Sequence, residues 1–209
     1  MQKHNHLIDP HSREDGPVNA KSYFDELGAA HDAIIARAAG WTAPPAGPRW
    51  GIAAKRQLVN LADAHPSVHG SHPINELMNL CATVERLLDA LEWGMKKGWA
   101  TSVIECHPTT SSSSVQPTPV AAGVPVPGPP DLLTEGALGK AWFEVSDVLK
   151  VRDGNRKLQK DLQRLRGAPT DVTAFLVGSG LWQGRVDQLG FDCEKERDTL
   201  IAQVSLSTG

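Results

Sequence analysis

Three histidines lie close together in the first half of the chain, and imidazole is the commonest side chain among protein metal ligands. They are His65, His69 and His72, in the segment His-Pro-Ser-Val-His-Gly-Ser-His. Three neutral imidazoles, with water in a fourth position, are a ligand set of catalytic zinc sites. One alternative is therefore a metal-dependent hydrolase with zinc as its cofactor. We prefer a polar turn between helices, because proline and glycine interrupt the segment and it contains no carboxylate to orient the rings.

A second group of residues has the chemistry to bind phosphate. Residues 150–166 contain seven basic and two acidic side chains, and the basic ones recur at helical spacing. A helix with such a face can lie along a nucleic-acid backbone, with its glutamines near base edges. This pattern indicates a second alternative, a DNA- or RNA-binding regulator, although a solvated face on an amphipathic helix is our preferred interpretation. The candidate nucleic-acid-binding residues are Arg152, Arg156, Lys157, Lys160 and Arg164.

The strongest periodic pattern covers residues 74–95. Its apolar residues recur at steps of three and four that average 3.5, the spacing of a helix packed along another helix. This face is wider than two short neighbouring helices can cover, so we expect it to bind a protein partner or a second copy of the chain. The first predicted function is a non-enzymatic adaptor or regulatory interaction protein with no catalytic residues and no cofactor. Its partner-binding residues are Leu77, Leu80, Leu87, Leu88, Leu91 and Met95.

Two further residues of reactive types are predicted to serve packing. His31 lies four residues after Leu27 and four before Ile35 on the apolar side of a helix. This placement is typical of a hydrogen-bonded histidine in a core or an interface. Cys81 lies on the apolar face of the helix at 74–95, so we expect an inert thiol there.

Helices must position most of these residues. Apolar periodicity predicts helices over 20–39, 51–64, 74–95, 158–165 and 187–204. A helix, or a short strand leading into one, is expected over 142–149, and the apolar run at 172–177 fits either a helix or a strand. Alternating β-branched and aromatic runs are few, which disfavours an all-β fold. The predicted fold class is mainly α: a small helical bundle, a linker and a second small, mostly helical domain.

A proline- and serine-rich segment divides the chain at residues 107–131. It contains seven prolines and four consecutive serines, and it has no charged side chain before Asp131. Such a composition predicts an extended tether, with an ordered loop around one domain as the alternative. The predicted organisation is a disordered arm at 1–17, a helical N-terminal domain at 18–106, the linker at 107–131 and a mostly helical C-terminal domain at 132–209.

Composition excludes several classes of protein. The 209 residues carry a formal charge of −3, which argues against a generally basic nucleic-acid coat. No apolar run is long enough to span a bilayer, so we expect no membrane contact. The start of the chain has no run typical of a signal peptide, and the three cysteines form no CxxC motif. These features favour the cytoplasm.

Overall fold

A computed structural model describes residues 17–39, 74–106, 129–146, 157–180 and 183–206 of the chain. Within these ranges, side chains are described except at residues 33–34, 37–38, 74–80, 157, 185 and 188. The predicted helix at 51–64 and the arm at 1–16 lie outside the described residues. So does the proline- and serine-rich segment from residue 107 to residue 128.

The described residues form four helices and seven strands. The strands make a single mixed sheet in the order β1-β2-β3-β4-β5-β7-β6, in which only β4 and β5 are parallel neighbours. The prediction of a mainly α fold, and of a helical bundle, is therefore wrong. The helices are α1 (Ala20–Ala39), α2 (Ile74–Lys97), α3 (Lys157–Arg166) and α4 (Gln183–Gln188); the strands are β1 (Val18–Asn19), β2 (Ser102–Cys106), β3 (Leu132–Gly136), β4 (Gly139–Ser146), β5 (Val172–Ser179), β6 (Asp192–Glu196) and β7 (Thr199–Val204).

The largest local error concerns the predicted helix at 187–204. Apart from its first residues, this segment is a hairpin, in which β6 pairs with β7 through a turn where Arg197 adopts a φ of 56°. The run Leu200-Ile201-Ala202 is buried on both faces of the sheet, and such a run has no alternation to separate a strand from a helix. The antiparallel pairing of this run with β5 makes it a strand and not a helix. The ambiguous run at 172–177 belongs to β5, and residues 142–146 belong to β4.

Three predicted helices are confirmed almost to the residue. The segment at 20–39 is α1, the segment at 74–95 lies within α2, and the segment at 158–165 lies within α3. Asn19 caps the first turn of α1, because its Oδ1 accepts hydrogen bonds from the backbone N–H groups of Lys21 and Ser22.

Helices cover both faces of the sheet, which gives three layers. In β4, Phe143 and Val145 face α1 and α2, whereas Trp142 faces α3. Trp93 of α2 packs edge-on against Phe143 and Phe175, with ring centroids 6.3 and 4.9 Å apart. The two central strands are therefore enclosed between two apolar layers.

Helix α2 is used on both of its sides. Val84, Leu87 and Leu91 are fully buried in the core below it. The opposite, charged side contacts the β6–β7 hairpin: Arg86 Nη1 donates to Asp198 Oδ1 at 3.2 Å, and Lys97 Nζ lies 2.8 Å from Glu194 Oε2. The charged side of α2 therefore holds an edge of the sheet.

The strands on either side of the proline- and serine-rich segment belong to the same sheet. β2 precedes the segment, β3 follows it, and the two pair antiparallel from Ser102 with Glu135 to Cys106 with Leu132. The two halves of the described chain consequently share one sheet and one core.

Truncation of Leu91 should destabilise the protein strongly. Leu91 is fully buried, and a Leu→Ala change in a packed core costs about 2–5 kcal/mol. Leu138 is 58% exposed, so Leu138→Ala is a chemically matched control that should change the free energy of unfolding by less than about 0.5 kcal/mol. Urea denaturation measures both. Equal effects would contradict the placement of α2 on the sheet.

Candidate functional site

Glu144 is a carboxyl group placed in the most enclosed part of the sheet. It stands between Phe143 and Val145, which face α1 and α2, so its own side chain points to the face covered by α3. It has no solvent-exposed surface. A buried carboxyl requires partners for its oxygens, because an unsatisfied charged group is costly in an apolar interior.

The partners of Glu144 satisfy only one of its two oxygens fully. Trp142 Nε1 donates a hydrogen bond to Oε1 at 2.9 Å. Arg164 Nη1 of α3 lies 2.7 Å from Oε2, but not in hydrogen-bond geometry, so this oxygen has no hydrogen-bond partner. Arg164 also donates to the carbonyl of Pro129. The guanidinium thus joins α3 to the chain that enters β3.

Asp131 lies beside Glu144, one residue before the neighbouring strand β3. Leu132 pairs with Phe143 in the antiparallel register of β3 and β4, and Asp131 comes one residue before it. Its Oδ2 accepts a hydrogen bond of 2.9 Å from the backbone N–H of Val145, and its side chain is buried. The register of the hairpin therefore brings two carboxyl groups together.

Two more buried polar residues complete the surroundings. Asp161 of α3 is buried, and its charge acts on Glu144. Ser146 follows Glu144 by two residues and lies on the same face of β4; it is 2% exposed and its Oγ has no hydrogen-bond partner. We call Asp131, Glu144 and Asp161, with Arg164 and Ser146, the carboxylate cluster.

The cluster carries more negative than positive groups. Burial, and then the charge of Asp131, raise the pKa of Glu144 to about 9 against the opposing effect of Arg164. At neutral pH Glu144 must therefore hold a proton or lie near an additional cation. Carboxylate and hydroxyl oxygens are the ligands that Mg²⁺ and Mn²⁺ prefer. Glu144 and Ser146 lie within the last three residues of β4, near the carboxyl end of its parallel pairing with β5.

The structure places the predicted basic residues unevenly. Arg152 and Arg156 lie outside the described residues, as does the side chain of Lys157. Lys160 is exposed on α3, as expected for a basic stripe. Arg164, by contrast, is directed into the protein towards Glu144. The histidines at positions 65, 69 and 72 also lie outside the described residues.

The predicted partner-binding face of α2 is occupied within the molecule wherever it is described. Leu87 and Leu91 are completely buried, and Leu88 and Met95 are partly buried against the same core. The side chains of Leu77 and Leu80 lie outside the described residues. The predicted mainly α fold contains no sheet. Without the sheet, two short helices are the only cover for this face, and they are too small for it.

Sequence reasoning missed Asp131 and Glu144. Each carries a weak signal: Glu144 is a lone acid within the apolar run Trp-Phe-Glu-Val, and Asp131 ends an uncharged segment of more than twenty residues. An acid inside a strand that is otherwise buried is expensive, and it is retained mostly where a partner or a ligand compensates for it.

No protein-family model, curated protein or solved structure matches the chain. Among the residues that the structure describes, no helix has the length and apolar character needed to cross a bilayer.

Replacement of Glu144 by Gln should stabilise the protein at alkaline pH when no divalent cation is present. Because the pKa of Glu144 is higher in the folded than in the unfolded state, the free energy of unfolding falls as pH rises from about 4.5 to about 9. The slope is on the order of 1 kcal/mol per pH unit, and Glu144→Gln removes it. At pH 8 in EDTA we expect a higher Tm for this variant, by about 2–4 °C for each kcal/mol gained.

The matched control is Glu135→Gln, since Glu135 is exposed on β3 and its substitution leaves the pH dependence of Tm unchanged. Thermal unfolding of the three proteins between pH 5 and pH 9 makes the comparison. A wild-type pH profile identical to that of Glu144→Gln would contradict the raised pKa.

Proposed function

We propose that this protein is a divalent-metal-dependent hydrolase of phosphodiesters that acts on DNA or RNA, with Asp131 and Glu144 as metal ligands. The observation that carries the proposal is the juxtaposition of these two buried carboxyl groups, in which Glu144 Oε2 has no hydrogen-bond donor. Ser146 Oγ, buried and without a partner on the same face, supports it independently. This proposal combines two of the functions suggested by the sequence pattern, a metal-dependent hydrolase and a nucleic-acid-binding protein, but it places the metal ligands at different residues.

A metal ion would add positive charge beside Glu144, whose pKa stays raised even in the presence of Arg164. Arg164 is the basic group beside Glu144, and the charges of Asp131 and Asp161 also act on Glu144. A divalent cation between Asp131 and Glu144 would favour the ionised form of Glu144 and bind its Oε2, which lies 2.7 Å from Arg164 Nη1 but accepts no hydrogen bond. Mg²⁺ is commonly held by one or two carboxylates and keeps several waters, so two protein ligands are sufficient.

A metal at this position would supply the chemistry of phosphoester hydrolysis. A bound divalent cation offsets negative charge on a phosphate and favours ionisation of a coordinated water. The residues of the chain would hold and orient that ion: Asp131 through its hydrogen bond to the β4 backbone, and Glu144 through its bond from Trp142. Arg164, anchored on the carbonyl of Pro129, keeps Glu144 in place.

The exposed side of α3 favours a polyanionic substrate. The helix contains four basic residues and one acidic residue. The acidic residue is Asp161, whose side chain is buried on the inner side of the helix. Lys160 and Arg166 are exposed, with Gln159 and Gln163 exposed beside them. Such a surface is suited to the phosphates of a nucleic acid, which form most polar contacts in these complexes. The proposal thus combines the nucleic-acid binding suggested by the sequence with hydrolysis at the carboxylate cluster.

The cytoplasm remains the proposed location, supported by three free cysteines. The adaptor hypothesis no longer has its original physical argument, because the described part of the α2 apolar face is covered by the protein's own sheet. A protein partner or a homo-oligomer would need a surface other than the described part of this face.

The wild-type protein should cleave DNA or RNA only when Mg²⁺ or Mn²⁺ is present. Asp131→Asn and Glu144→Gln remove a metal ligand while preserving shape. A metal ion supplies several kcal/mol of transition-state stabilisation, so each variant should lose about 100-fold or more in cleavage rate. Glu135→Gln is the matched control on β3 and should retain the wild-type rate.

Mn²⁺ binding by calorimetry provides a readout besides activity. The site would be supported if the wild-type protein and Glu135→Gln bind Mn²⁺ and Asp131→Asn does not. The proposal fails if the wild-type protein shows no metal-dependent cleavage of either nucleic acid, or if Asp131→Asn and Glu144→Gln cleave as fast as the wild type.

Neutralising the exposed basic residues of α3 should weaken nucleic-acid binding in a salt-dependent way. In the double variant Lys160→Gln with Arg166→Gln, the slope of log affinity against log salt should fall by about two, because each phosphate contact contributes about one. Lys21→Gln with Lys195→Gln removes two exposed lysines elsewhere and should leave the slope unchanged. Fluorescence anisotropy with a labelled duplex measures the slopes. Identical slopes for the two double variants would contradict the assignment of α3 as the binding surface.

A further inference from the structure

The contact between α1 and α2 brings together three side chains with different metal-ligating atoms. His31 of α1 faces Cys81 and Glu85 of α2, and its Nε2 lies 3.0 Å from Glu85 Oε1. Cys81 and Glu85 are four residues apart, so they share one face of the helix. A nitrogen, a sulfur and an oxygen from the three residues all lie within 4.8 Å of one another. Among the described residues this is the only such group of three.

The spacing of these atoms is close to what a tetrahedral metal needs. Zinc binds sulfur at about 2.3 Å and nitrogen or oxygen at about 2.0–2.2 Å, so two of its ligands are about 3.5 Å apart. The His31–Glu85 pair is already within that distance. The other pairs of ligand atoms lie within 4.8 Å of each other, so closing the arrangement requires these side chains to move nearer by roughly 1 Å.

The environment is compatible with entry and retention of an ion. Cys81 is buried and the His31 side chain is 13% exposed, whereas the Glu85 side chain is 51% exposed. Glu85 thus forms the solvent side of the group. Burial, followed by the charge of Glu85, raises the pKa of the Cys81 thiol. A bound cation would reverse that effect, because it favours the thiolate and balances the carboxylate.

We propose that His31, Cys81 and Glu85 form a zinc site that fastens α1 to α2, with water as the fourth ligand. A mixed set of imidazole, thiolate and carboxylate selects zinc or a similar transition metal over Mg²⁺ and Ca²⁺, which prefer oxygen ligands alone. The sequence predicts only a packing role for His31 and Cys81. In this proposal the two residues keep that packing contact and also bind the metal. This site shares no residue with the carboxylate cluster.

Cobalt(II) provides a direct test, because its bond to a thiolate gives a near-ultraviolet charge-transfer absorption. Full-length protein is stripped with a chelator and titrated first with Co²⁺ and then with Zn²⁺. We expect this absorption to appear at one equivalent of Co²⁺ and to be displaced by Zn²⁺. Cys81→Ser should abolish it. Cys193→Ser is the matched control, because Cys193 is a free cysteine outside the group, and this variant should retain the full signal.

Glu85→Gln gives a second test that does not disturb the core, since Glu85 is partly exposed. It should weaken zinc affinity by about tenfold or more without changing the Tm of the metal-free protein. Absence of the thiolate absorption in the wild-type protein, its persistence in Cys81→Ser, or unchanged zinc affinity in Glu85→Gln would each overturn the proposal. Asp131→Asn should bind zinc normally, so this site and the proposed hydrolase site stand or fall separately.

Discussion

The parallel pairing of β4 with β5 is the constraint on which the rest of the structure depends. Parallel neighbours cannot be joined by a tight turn, so the chain must cross over, and α3 lies in that crossover. The crossover helix covers one face of the two strands, while α1 and α2 cover the other. Both strands are therefore buried on both faces, which explains their nearly continuous apolar sequence.

This enclosure gives Glu144 its chemical character. In a strand with one solvated face it would be an ordinary surface acid with an ordinary pKa. Under α3, its ionisation is opposed by burial and by Asp131, and Arg164 opposes them with a full positive charge. The arrangement favours whatever reduces the negative charge: a proton at neutral pH, or a cation if one is supplied. The free-energy cost of ionising Glu144 underlies both the pH dependence of stability and the metal binding that we propose.

Helix α2 links the two regions of interest. Its apolar side supports β4 and β5, and Cys81 of that same apolar cluster, with Glu85 one turn further along, meets His31 of α1. Its charged side holds the β6–β7 hairpin, where Arg86 lowers the pKa of Asp198 through a hydrogen bond. A helix that is engaged on so many sides has little surface left for a partner in its described second half. This is why burial of α2 counts against an adaptor role for Leu87 and Leu91.

The sequence by itself determined the helices α1, α2 and α3, whose apolar residues repeat with a helical period. It did not determine β6 and β7, since Leu200 and Ile201 belong to a run buried on both faces that has no strand alternation. Nor did it reveal the site: Asp131 and Glu144 are thirteen positions apart in the chain, and only the register of the β3–β4 hairpin makes them neighbours. Periodicity shows which side of an element is apolar. The pairing between strands, by contrast, is decided by contacts between residues that are distant in the sequence, and both the sheet and the site depend on that pairing.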